Sequence, residues 1–489
     1  MDKILSSLPT NPGESWKKSI YLTLKDKPYP IFIFKNTIVP AASVWSGMRV
    51  WVDFFRSMGL NKGTRILLSL PPSPGFLYIF FASFWEGFSL AIQTVPNKAT
   101  YNTETEKSLI HDYEETDSHI LISNMNFSFN FLLVNSSGLP GEKNPKSLSL
   151  RKTKNPLNSE IRLLLKTSGS SGNGKWVALS DRSIASVLQS HIPELDVYQK
   201  RVLSILPWGH AFGLVIDLLV AIFSRCEIVR DKSDGKNIKS ILDNINNFSI
   251  NYLCCVPKTI QDLMSHPIGE KTLKNLKGGV IGGAPVSEKM AYFLKKTQFR
   301  VGYGQTEASP GILLGKQGVW EERFIGYPVG CEARLSDSDE LEFFGKNIAL
   351  GYWSTQGLES FPQNEWQKTG DLAQKKSFGY VFMGRKDDRI KLPNGYFLDL
   401  ETVERKIINE FSGIETIMLY FTKEGTLCIY YSSDTIHLER DKIKDMIKVN
   451  PYKLEMIPKN RFYYNKKGSL NRKATIDAIL NFQNTGLKL

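Results

Sequence analysis

Residues 166–180 read KTSGSSGNGKWVALS and contain a glycine- and hydroxyl-rich stretch whose composition suits phosphate binding. From Gly169 to Lys175 the spacing is G-x-x-x-x-G-K, in which backbone amides and a lysine surround phosphate groups. That motif also needs Ser or Thr after the lysine to hold magnesium, and Trp176 stands there instead. A glycine- and hydroxyl-rich loop still offers donors to a phosphate. A mobile loop without a ligand is the alternative for this segment taken alone.

The residues beside this loop predict strands, whereas a G-x-x-x-x-G-K loop opens directly into a helix. Residues 161–166 precede the loop as one strand, and residues 176–179 form a second short apolar run. Ser180 or Asp181 then suits the N-cap of a helix. The segment is interpreted as strand, loop, strand and helix, which argues against a kinase or ATPase of the phosphate-loop class.

A second candidate segment is a glycine turn at the end of a predicted strand. Residues 301–309 read VGYGQTEAS, so that the turn at Tyr303 and Gly304 leads directly to Thr306 and Glu307. A hydroxyl next to a carboxylate can hold a phosphate oxygen and its Mg²⁺ together.

Two more segments offer groups that a nucleotide could use. The turn in VIGGAPVS, at Gly283 and Ala284, leaves bare backbone that can lie against a flat base or an acyl group. Asp371 follows a glycine and suits ribose hydroxyls, and the Arg385 guanidinium can span ribose and phosphate. Each of these residues also has a purely structural explanation, as a turn cap or a surface ion pair.

The elements between these segments predict an α/β protein. Helical and apolar strand-like stretches alternate, which is typical of a largely parallel, buried sheet. The predicted helices lie at 44–60, 76–86, 213–224 and 237–247, and the predicted strands lie at 65–70, 88–95, 202–207, 226–230, 252–257 and 280–283. Polar residues 135–160 predict a surface linker. Residues 369–395 predict a hairpin ending at a domain boundary, followed by an α+β unit.

The composition bounds the class of protein and its partners. The 489 residues predict two or three domains, and 42% hydrophobic and 23% charged residues are typical of a soluble globular protein. A net charge of +13 favours anionic partners such as nucleotides, CoA, an acidic carrier protein or anionic lipid, although a basic surface without a partner is the alternative. No zinc-finger spacing or aromatic-basic platform supports nucleic acid binding.

Cysteine usage and the apolar runs predict a cytoplasmic protein. The five cysteines lack C-x-x-C spacing and no signal peptide is evident, so reduced thiols are expected. The longest apolar run, residues 76–85, is too short to span a bilayer and predicts a buried helix. Peripheral membrane contact is left open but not indicated. The scattered histidines form no metal-binding pair.

Together and in this order, the segments resemble the adenylate-forming superfamily, which comprises acyl- and aryl-CoA synthetases, luciferases and nonribosomal peptide synthetase adenylation domains. The resemblance runs from MGLNKGTRILLSLPPSPGF (58–76) to KGSLNRKAT (467–475). It implies a large, multi-subdomain N-terminal α/β domain at residues 1–386 and a small mobile α+β domain at residues 387–489. It also implies activation of a carboxylic acid by ATP and Mg²⁺ to an acyl-adenylate, and transfer to CoA or a carrier-protein phosphopantetheine.

The resemblance also implies roles for individual residues. Those expected over the β- and γ-phosphates are Thr167, Ser168, Gly169, Ser170, Ser171, Gly172 and Lys175. Gly283, Ala284, Tyr303 and Gly304 are expected to contact the nucleotide. Thr306 is expected to bind the α-phosphate, and Glu307 the magnesium ion. Asp371 is expected to bind the ribose, and Arg385 the ribose and a phosphate. Asp387 matches the hinge between the domains. Gly174 stands where the family usually has proline, which should loosen the loop.

The acid itself is less well defined. LPWGHAFGL places His210 where acyl- and aryl-CoA synthetases often carry a histidine beside the carboxylate pocket, although a histidine buried for packing is the alternative. No acidic residue lies beside it, which disfavours an amino acid substrate. Residues 390–404 are similar to long-chain acyl-CoA synthetases, whereas residues 467–475 are similar to peptide synthetase adenylation domains. Fatty and aromatic acids both stay open.

The family pattern breaks near the C-terminus. Gly468 and Ser469 replace a Gly-Lys pair whose lysine reaches the carboxylate and α-phosphate, and losing such a donor typically costs about 10²–10³ in rate. Lys467 could substitute, because in an extended segment it lies on the same face as Ser469, roughly 6.5 Å away. The sequence thus predicts an AMP-forming acid–thiol ligase. The alternatives are thioesterification only, or a degenerate nucleotide-binding relative without catalysis.

Overall fold

The computed structural model describes the chain except for a few short segments. The residues left out are 12, 26–28, 36, 94, 96–102, 126–131, 142–149, 168–173, 392–396, 423–425, 448–451, 465–469 and 485–489. The predicted residues Ser168, Gly169, Ser170, Ser171, Gly172 and Lys467 therefore lie outside the described residues.

Helices account for much of the described chain. The α-helices are α1 (Asp2–Leu5), α2 (Lys17–Leu24), α3 (Ala41–Ser57), α4 (Pro74–Glu86), α5 (Thr103–Glu115), α6 (Asp181–Leu195), α7 (Val220–Phe223), α8 (Ile238–Asn247), α9 (Pro257–Met264), α10 (Gly269–Asn275), α11 (Glu288–Leu294), α12 (Leu400–Glu410), α13 (Arg440–Ile447) and α14 (Arg472–Asn484). A π-helix (Phe212–Leu219) precedes α7. Short 3₁₀ turns lie at Thr306–Ala308, Lys386–Asp388 and Lys459–Arg461.

The strands of the first 304 residues form most of the parallel strand pairs of the fold. They are β1 (Ile31–Phe34), β2 (Thr37–Pro40), β3 (Arg65–Ser69), β4 (Ser89–Ile92), β5 (Ile120–Ser123), β6 (Leu132–Leu133), β7 (Ile161–Lys166), β8 (Trp176–Ser180), β9 (Arg201–Ser204), β10 (Glu227–Arg230), β11 (Tyr252–Leu253), β12 (Gly279–Gly282) and β13 (Phe299–Tyr303).

The later strands are mostly antiparallel. They are β14 (Leu313–Leu314), β15 (Phe324–Pro328), β16 (Glu332–Leu335), β17 (Glu340–Phe344), β18 (Gly351–Ser354), β19 (Gly357–Ser360), β20 (Gln367–Lys376), β21 (Gly379–Arg385), β22 (Arg389–Lys391), β23 (Phe397–Asp399), β24 (Thr416–Phe421), β25 (Leu427–Ser432) and β26 (Tyr452–Met456).

Three sheets form the large N-terminal part. One has the order β19-β18-β8-β7-β4-β3-β5-β6, parallel from β7 to β6. The second is β11-β9-β10-β1-β2, parallel except for the β1–β2 pair. The third is β12-β13-β14-β15-β21-β20-β17-β16, where only β12–β13 is parallel. The predicted parallel, buried α/β sheet is therefore confirmed.

Burial explains the strong helix and strand predictions in this part. Every residue of β3 and of β4 is buried, as expected of parallel strands covered on both faces. Helix α4 buries nearly all of its apolar length, so the run at residues 76–85 is a core helix. The side chain of Ser73 caps α4, and Gly87 ends it in the left-handed conformation. Among the helices that the structure describes, none is long and apolar enough to cross a bilayer.

The described residues of the predicted surface linker at 135–160 lie mostly at the surface, and residues 154–156 also bind the large domain through their backbone. The Arg65 side chain is fully buried and donates to the carbonyls of Asn155 and Pro156 at 3.0 and 2.8 Å. Asp117 accepts from the backbone amides of Lys154 and Asn155 at 3.1 and 2.8 Å. Residues 151–160 are exposed or half-buried, and their backbone satisfies the buried ion pair beneath them.

The C-terminal region has its own sheets and its own core. Strands β22 and β23 form a hairpin, and β24-β25-β26 form a three-stranded sheet covered by α12, α13 and α14. The apolar residues of this region pack mainly on one another rather than on the large part. The predicted α+β unit is confirmed. The helix predicted at 213–224 begins as a π-helix rather than an α-helix.

Candidate active site

Strands β7 and β8 form the predicted hairpin that carries the glycine- and hydroxyl-rich loop. They pair in antiparallel fashion, with Lys166 opposite Trp176. At the neck of the loop, the Thr167 amide donates to the Lys175 carbonyl at 2.8 Å and the Lys175 amide donates to Thr167 Oγ1 at 3.0 Å. A Cβ at Gly174 would lie 1.9 Å from the Thr167 carbonyl oxygen, so this closed neck excludes any larger residue.

A cluster of charged side chains fixes the foot of the hairpin. Lys166 Nζ donates to Asp112 Oδ1 at 2.7 Å and to Glu115 Oε2 at 3.0 Å, and the Trp176 indole donates to Glu115 at 2.9 Å. Burial alone would lower the pKa of Lys166, but these carboxylates outweigh it and raise that pKa above its ordinary value. After the hairpin, Ser180, one of the two predicted N-cap residues, starts α6 and forms a capping box with Ser183.

The turn that carries Thr306 and Glu307 follows β13. Gly304 is required there, because a Cβ would lie 1.5 Å from the Pro310 carbonyl oxygen. The chain then forms a 3₁₀ turn, and the Glu307 carbonyl accepts from the Ala349 amide at 2.9 Å. The Glu307 carboxylate accepts a hydrogen bond at Oε1 from the Tyr352 hydroxyl at 3.1 Å. Thr306 and Glu307 are both half-buried.

Asp371, Arg385 and Tyr303 meet at the other end of the same turn. Asp371 lies opposite Arg385 in the β20–β21 hairpin, and Arg385 Nη1 donates to Asp371 Oδ1 at 2.7 Å. The Tyr303 hydroxyl donates to Asp371 Oδ2 at 2.6 Å. Burial raises the pKa of Asp371 although Arg385 and Tyr303 oppose that shift. A carboxylate offers about four lone-pair positions, so Asp371 can still accept from a bound hydroxyl.

The second glycine turn lies beside the first. Strands β12 and β13 are parallel, with Gly282 opposite Gly302. Their carboxyl ends therefore meet at one edge, which brings the turn at Gly283 and Ala284 next to Tyr303 and Gly304. Gly283 has φ of +86°, in the left-handed region that favours glycine, and its surface is exposed.

His210 lies just before the π-helix at the same side of the fold. Its amide donates to the Pro207 carbonyl at 3.2 Å, and its carbonyl accepts from the Leu214 amide at 2.8 Å. The next aromatic residue, Phe212, has its ring 3.6 Å from where a Cβ of Gly282 would stand. The His210 segment therefore abuts the end of β12, close to the second glycine turn.

Tyr352 is a residue that the sequence interpretation missed. It lies on β18, and its side chain contacts both the loop lysine and the Glu307 turn. Its only signal in the sequence is an aromatic residue after glycine, which is too common to predict a site. The contact arises because β18 pairs with the edge of β8, which places Tyr352 beside the loop hairpin.

The predicted hinge and the C-terminal cations are only partly within the described residues. Asp387 is exposed in the 3₁₀ turn that follows β21, and Lys386 beside it donates to Glu340 at 2.7 Å. Arg472 is partly buried and forms an ion pair with Glu404, with Nη2 and Oε2 at 2.8 Å. Arg472 therefore serves the C-terminal core.

Comparison with known families decides the classification of this chain. The family model described as "AMP-binding enzyme" matches residues 53–353, which is more than half of the chain. The chain belongs to this family. The AMP-binding segment thus contains the hairpin, both glycine turns and Tyr352.

Similar curated proteins are synthetases of two kinds. Human long-chain-fatty-acid–CoA ligase 1 is 23% identical over 319 residues, covering 52% of this chain and 45% of that protein. Feruloyl-CoA synthase of an Amycolatopsis species is 26% identical over 251 residues, covering 47% and 50%. Surfactin synthase subunit 2 of Bacillus subtilis is 25% identical over 312 residues, covering 56% and 9%. The chain thus spans half or less of the length of these AMP-binding relatives.

Solved structures match the fold of nearly the whole chain. ATP-bound MatB from Rhodopseudomonas palustris superposes with a TM-score of 0.75 at 17% identity, covering 95% of this chain and 98% of that one. O-succinylbenzoate coenzyme A synthetase (MenE) from Bacillus subtilis, in complex with ATP and magnesium ion, gives 0.74 at 17% identity, covering 93% and 98%. The adenylate-forming fold, with a large N-terminal domain and a smaller C-terminal region, is therefore confirmed.

Proposed function

We propose that this AMP-binding enzyme activates a carboxylic acid with ATP and then transfers the acyl group to a thiol. The observation that carries the proposal is two sets of contacts at the turn after β13, one from Lys175 through Tyr352 to Glu307 and one from Tyr303 to Asp371. The site would thus offer Lys175 to the phosphates, Glu307 to the magnesium ion and Asp371 to the ribose of MgATP. Similarity to CoA ligases and to a peptide synthetase supports the same reaction class.

In the first half-reaction, an oxygen of the acid attacks the α-phosphorus of ATP. The bond between the α-phosphorus and its bridging oxygen to the β-phosphate breaks, and pyrophosphate leaves. Lys175 and the loop hydroxyls would hold the β- and γ-phosphates, and Thr306 the α-phosphate. His210 would orient the acid, whereas Asp371 and Arg385 would hold the ribose. Cations and donors at the crowded phosphorus stabilise the negative charge that builds there.

The residues present fit a magnesium ion held mainly by the nucleotide. Mg²⁺ prefers oxygen ligands and is usually bound through one or two carboxylates together with substrate phosphates. Glu307 supplies one carboxylate, and its Oε1 already accepts from Tyr352. Among the described residues, no group of three acidic, histidine or cysteine side chains could form an all-protein cage. When bound, Mg²⁺ would neutralise phosphate charge.

In the second half-reaction, the thiol sulfur attacks the acyl carbon and AMP leaves as the carbon–oxygen bond breaks. The acceptor is CoA or the phosphopantetheine of an acidic carrier protein, and the net charge of +13 suits either. We place the domain boundary between residues 386 and 387. The exposed Asp387 would then be the hinge on which the smaller domain turns between half-reactions.

Among the described residues, two ion pairs join the parts on either side of this boundary. Arg323 pairs with Glu401 at 3.1 Å, and Arg405 pairs with Glu322 at 3.3 Å. Both would break if the smaller domain turned. The Arg405–Glu322 pair is partly exposed and should oppose such a motion only weakly, whereas Arg323 is buried and its pair with Glu401 should oppose it more strongly.

The first experiment measures pyrophosphate release from MgATP with a panel of fatty and aromatic acids. Lys467→Ala is compared with Lys466→Ala, because in an extended segment Lys466 faces the other side from the replaced lysine position. We expect acid-dependent release in the wild type, and a fall of about 10²–10³ in rate in Lys467→Ala only.

Each outcome has a definite meaning. Release with one class of acid names the substrate, and equal rates in the two variants would show that Lys467 has no role in adenylation. No release with any acid, while ATP still binds, rejects ATP-driven adenylation for those acids. Product formation from a supplied acyl-adenylate and CoA would then identify an enzyme of the second half-reaction, and its absence a non-catalytic protein.

A further inference from the structure

Tyr352 contacts two charged residues that belong to different motifs of the candidate site. The Lys175 ammonium lies 4.2 Å from the centre of the Tyr352 ring. The hydroxyl at the other end of the same side chain donates to Glu307 Oε1 at 3.1 Å. A tyrosine has an electron-rich face and a hydrogen-bond donor at its edge, so it can attract a cation and an anion at once.

The position of Tyr352 is set by hydrogen bonds to both motifs. Strand β18 pairs with β8, with Tyr352 opposite Val177, and the Leu350 amide donates to the Ala178 carbonyl at 2.8 Å. The Ala349 amide donates to the Glu307 carbonyl at 2.9 Å. One short segment is therefore fixed to the loop hairpin on one side and to the Glu307 turn on the other.

Packing also limits the orientation of the ring. Phe361 meets it edge-on, with ring centres 4.9 Å apart and planes at 87°. The side chain is half-buried, and burial raises the pKa of the hydroxyl, followed by the neighbouring charge of Glu307. The phenol therefore stays protonated and remains a donor at physiological pH.

Lys175 and Glu307 carry opposite charges, yet no ion pair joins these two described side chains. The Tyr352 side chain lies between them and contacts each. A direct pair would have to break before the lysine could bind phosphate and the carboxylate could bind a cation. The tyrosine keeps the charges separate while holding both in place.

We propose that Tyr352 is a positioning residue that keeps Lys175 available for phosphate and Glu307 for magnesium. This inference rests on the proposed function, because it assumes that MgATP is the ligand of the site. Its hydroxyl acts on the metal through Glu307, and its ring acts on the phosphates through Lys175. The two effects can be separated by substitution.

Tyr352→Phe keeps the ring and removes the hydroxyl, whereas Tyr352→Leu removes both. Calorimetry would measure ATP affinity with Mg²⁺ and with EDTA in place of Mg²⁺. We expect Tyr352→Phe to weaken MgATP binding by about 10-fold, the range known for partners of metal ligands, and to leave metal-free binding unchanged. Tyr352→Leu should also weaken metal-free binding, by about 2- to 5-fold.

Tyr380→Phe is the matched control. Its hydroxyl donates to the Ala333 carbonyl at 3.0 Å, so the change also removes one tyrosine hydrogen bond, and that bond does not involve a candidate site residue. Its MgATP affinity should equal that of the wild type. A double variant tests whether the hydroxyl acts through the Glu307 carboxylate. Adding Tyr352→Phe to Glu307→Gln should then lower the MgATP affinity little further. Melting temperatures show whether each variant folds.

The possible results separate this inference from the function on which it rests. Equal losses of affinity with and without Mg²⁺ in Tyr352→Phe, or no loss at all, would overturn the positioning role. A loss confined to MgATP supports that role even if no acid gives pyrophosphate, in which case only the adenylation proposal fails. A wild-type protein that does not bind ATP would refute both.

Discussion

Two arginine–aspartate pairs, Arg65–Asp117 and Arg385–Asp371, use the same chemistry for different ends. In both, a guanidinium nitrogen lies within 3 Å of a carboxylate oxygen, at 2.9 and 2.7 Å respectively. The first pair is completely buried, whereas the Arg385 side chain is 42% exposed. The difference lies in what else each pair contacts.

Fixed protein groups surround the first pair. Asp117 accepts from the amides of Lys154 and Asn155, and Arg65 donates to main-chain carbonyls. Burial alone would raise the pKa of Asp117, but these hydrogen bonds outweigh it and hold the pKa below its ordinary value. In contrast, burial raises the pKa of Asp371, and Arg385 and Tyr303 oppose that shift without outweighing it. A pair buried among protein partners stabilises the fold, and a pair whose guanidinium is partly exposed can also contact a ligand.

The largest expected effect breaks the buried pair. Arg65→Met leaves Asp117 without its cation and should lower the free energy of unfolding by about 3–5 kcal/mol. Thermal and urea unfolding measure the change. The matched control is Arg56→Ala, which removes the exposed Arg56–Glu86 pair and should change stability by less than about 1 kcal/mol. Similar losses in the two variants would contradict the role of burial.

A third aspartate sharpens the comparison, because it is buried without a direct arginine contact. Asp217 accepts from Ser204 Oγ at 2.7 Å, and its Oδ1 has no hydrogen-bond partner among the described residues. Burial raises its pKa from 3.8 to about 7, while Ser204, Arg230 and Cys254 oppose that shift. The folded chain therefore keeps a proton that the unfolded chain has released at intermediate pH.

Stability should consequently fall as pH rises from about 4 to about 7, by on the order of a few kcal/mol from this one group. Asp217→Asn cannot titrate and should lose this dependence. We expect the free energy of unfolding of the variant, minus that of the wild type, to increase between pH 5 and pH 8. Urea unfolding across this range measures it, and parallel profiles for the two proteins would show that Asp217 does not titrate here.

The smallest effect on stability is expected at the partly exposed Arg385–Asp371 pair, where substitution should change the affinity for MgATP instead. Asp371→Asn removes the charge that faces Arg385 and should weaken MgATP binding by about 10-fold, since a hydrogen bond to a charged group typically contributes about 1.5–3 kcal/mol. The melting temperature should change little because Arg385 is partly exposed. Arg65→Met should instead lower the melting temperature and leave the MgATP affinity of the folded fraction unchanged. A large drop in melting temperature for Asp371→Asn would make this pair structural.

Local patterns predicted the parts of the fold that local interactions determine. The β7–β8 and β20–β21 hairpins join neighbouring segments, and their apolar runs and glycine turns are visible in the sequence. The sequence did not predict that the backbone carbonyls of Asn155 and Pro156 in the surface linker accept from Arg65, because no side-chain pattern reveals such contacts. Tyr352 was missed because its partners, Lys175 and Glu307, are distant from it in the sequence. The type of the helix at Phe212–Leu219 was missed because apolar periodicity does not distinguish a π-helix from an α-helix.

The pairing of β18 with β8 has a consequence for synthesis on the ribosome. The outer edge of β8 has no neighbour until β18 and β19 have emerged, long after the hairpin itself. A nascent chain therefore carries an apolar strand with an open edge, which is a site for wrong association between chains. We expect a chain truncated before Gly351 to be cleaved by proteases near residues 174–180, and the full chain to resist them there.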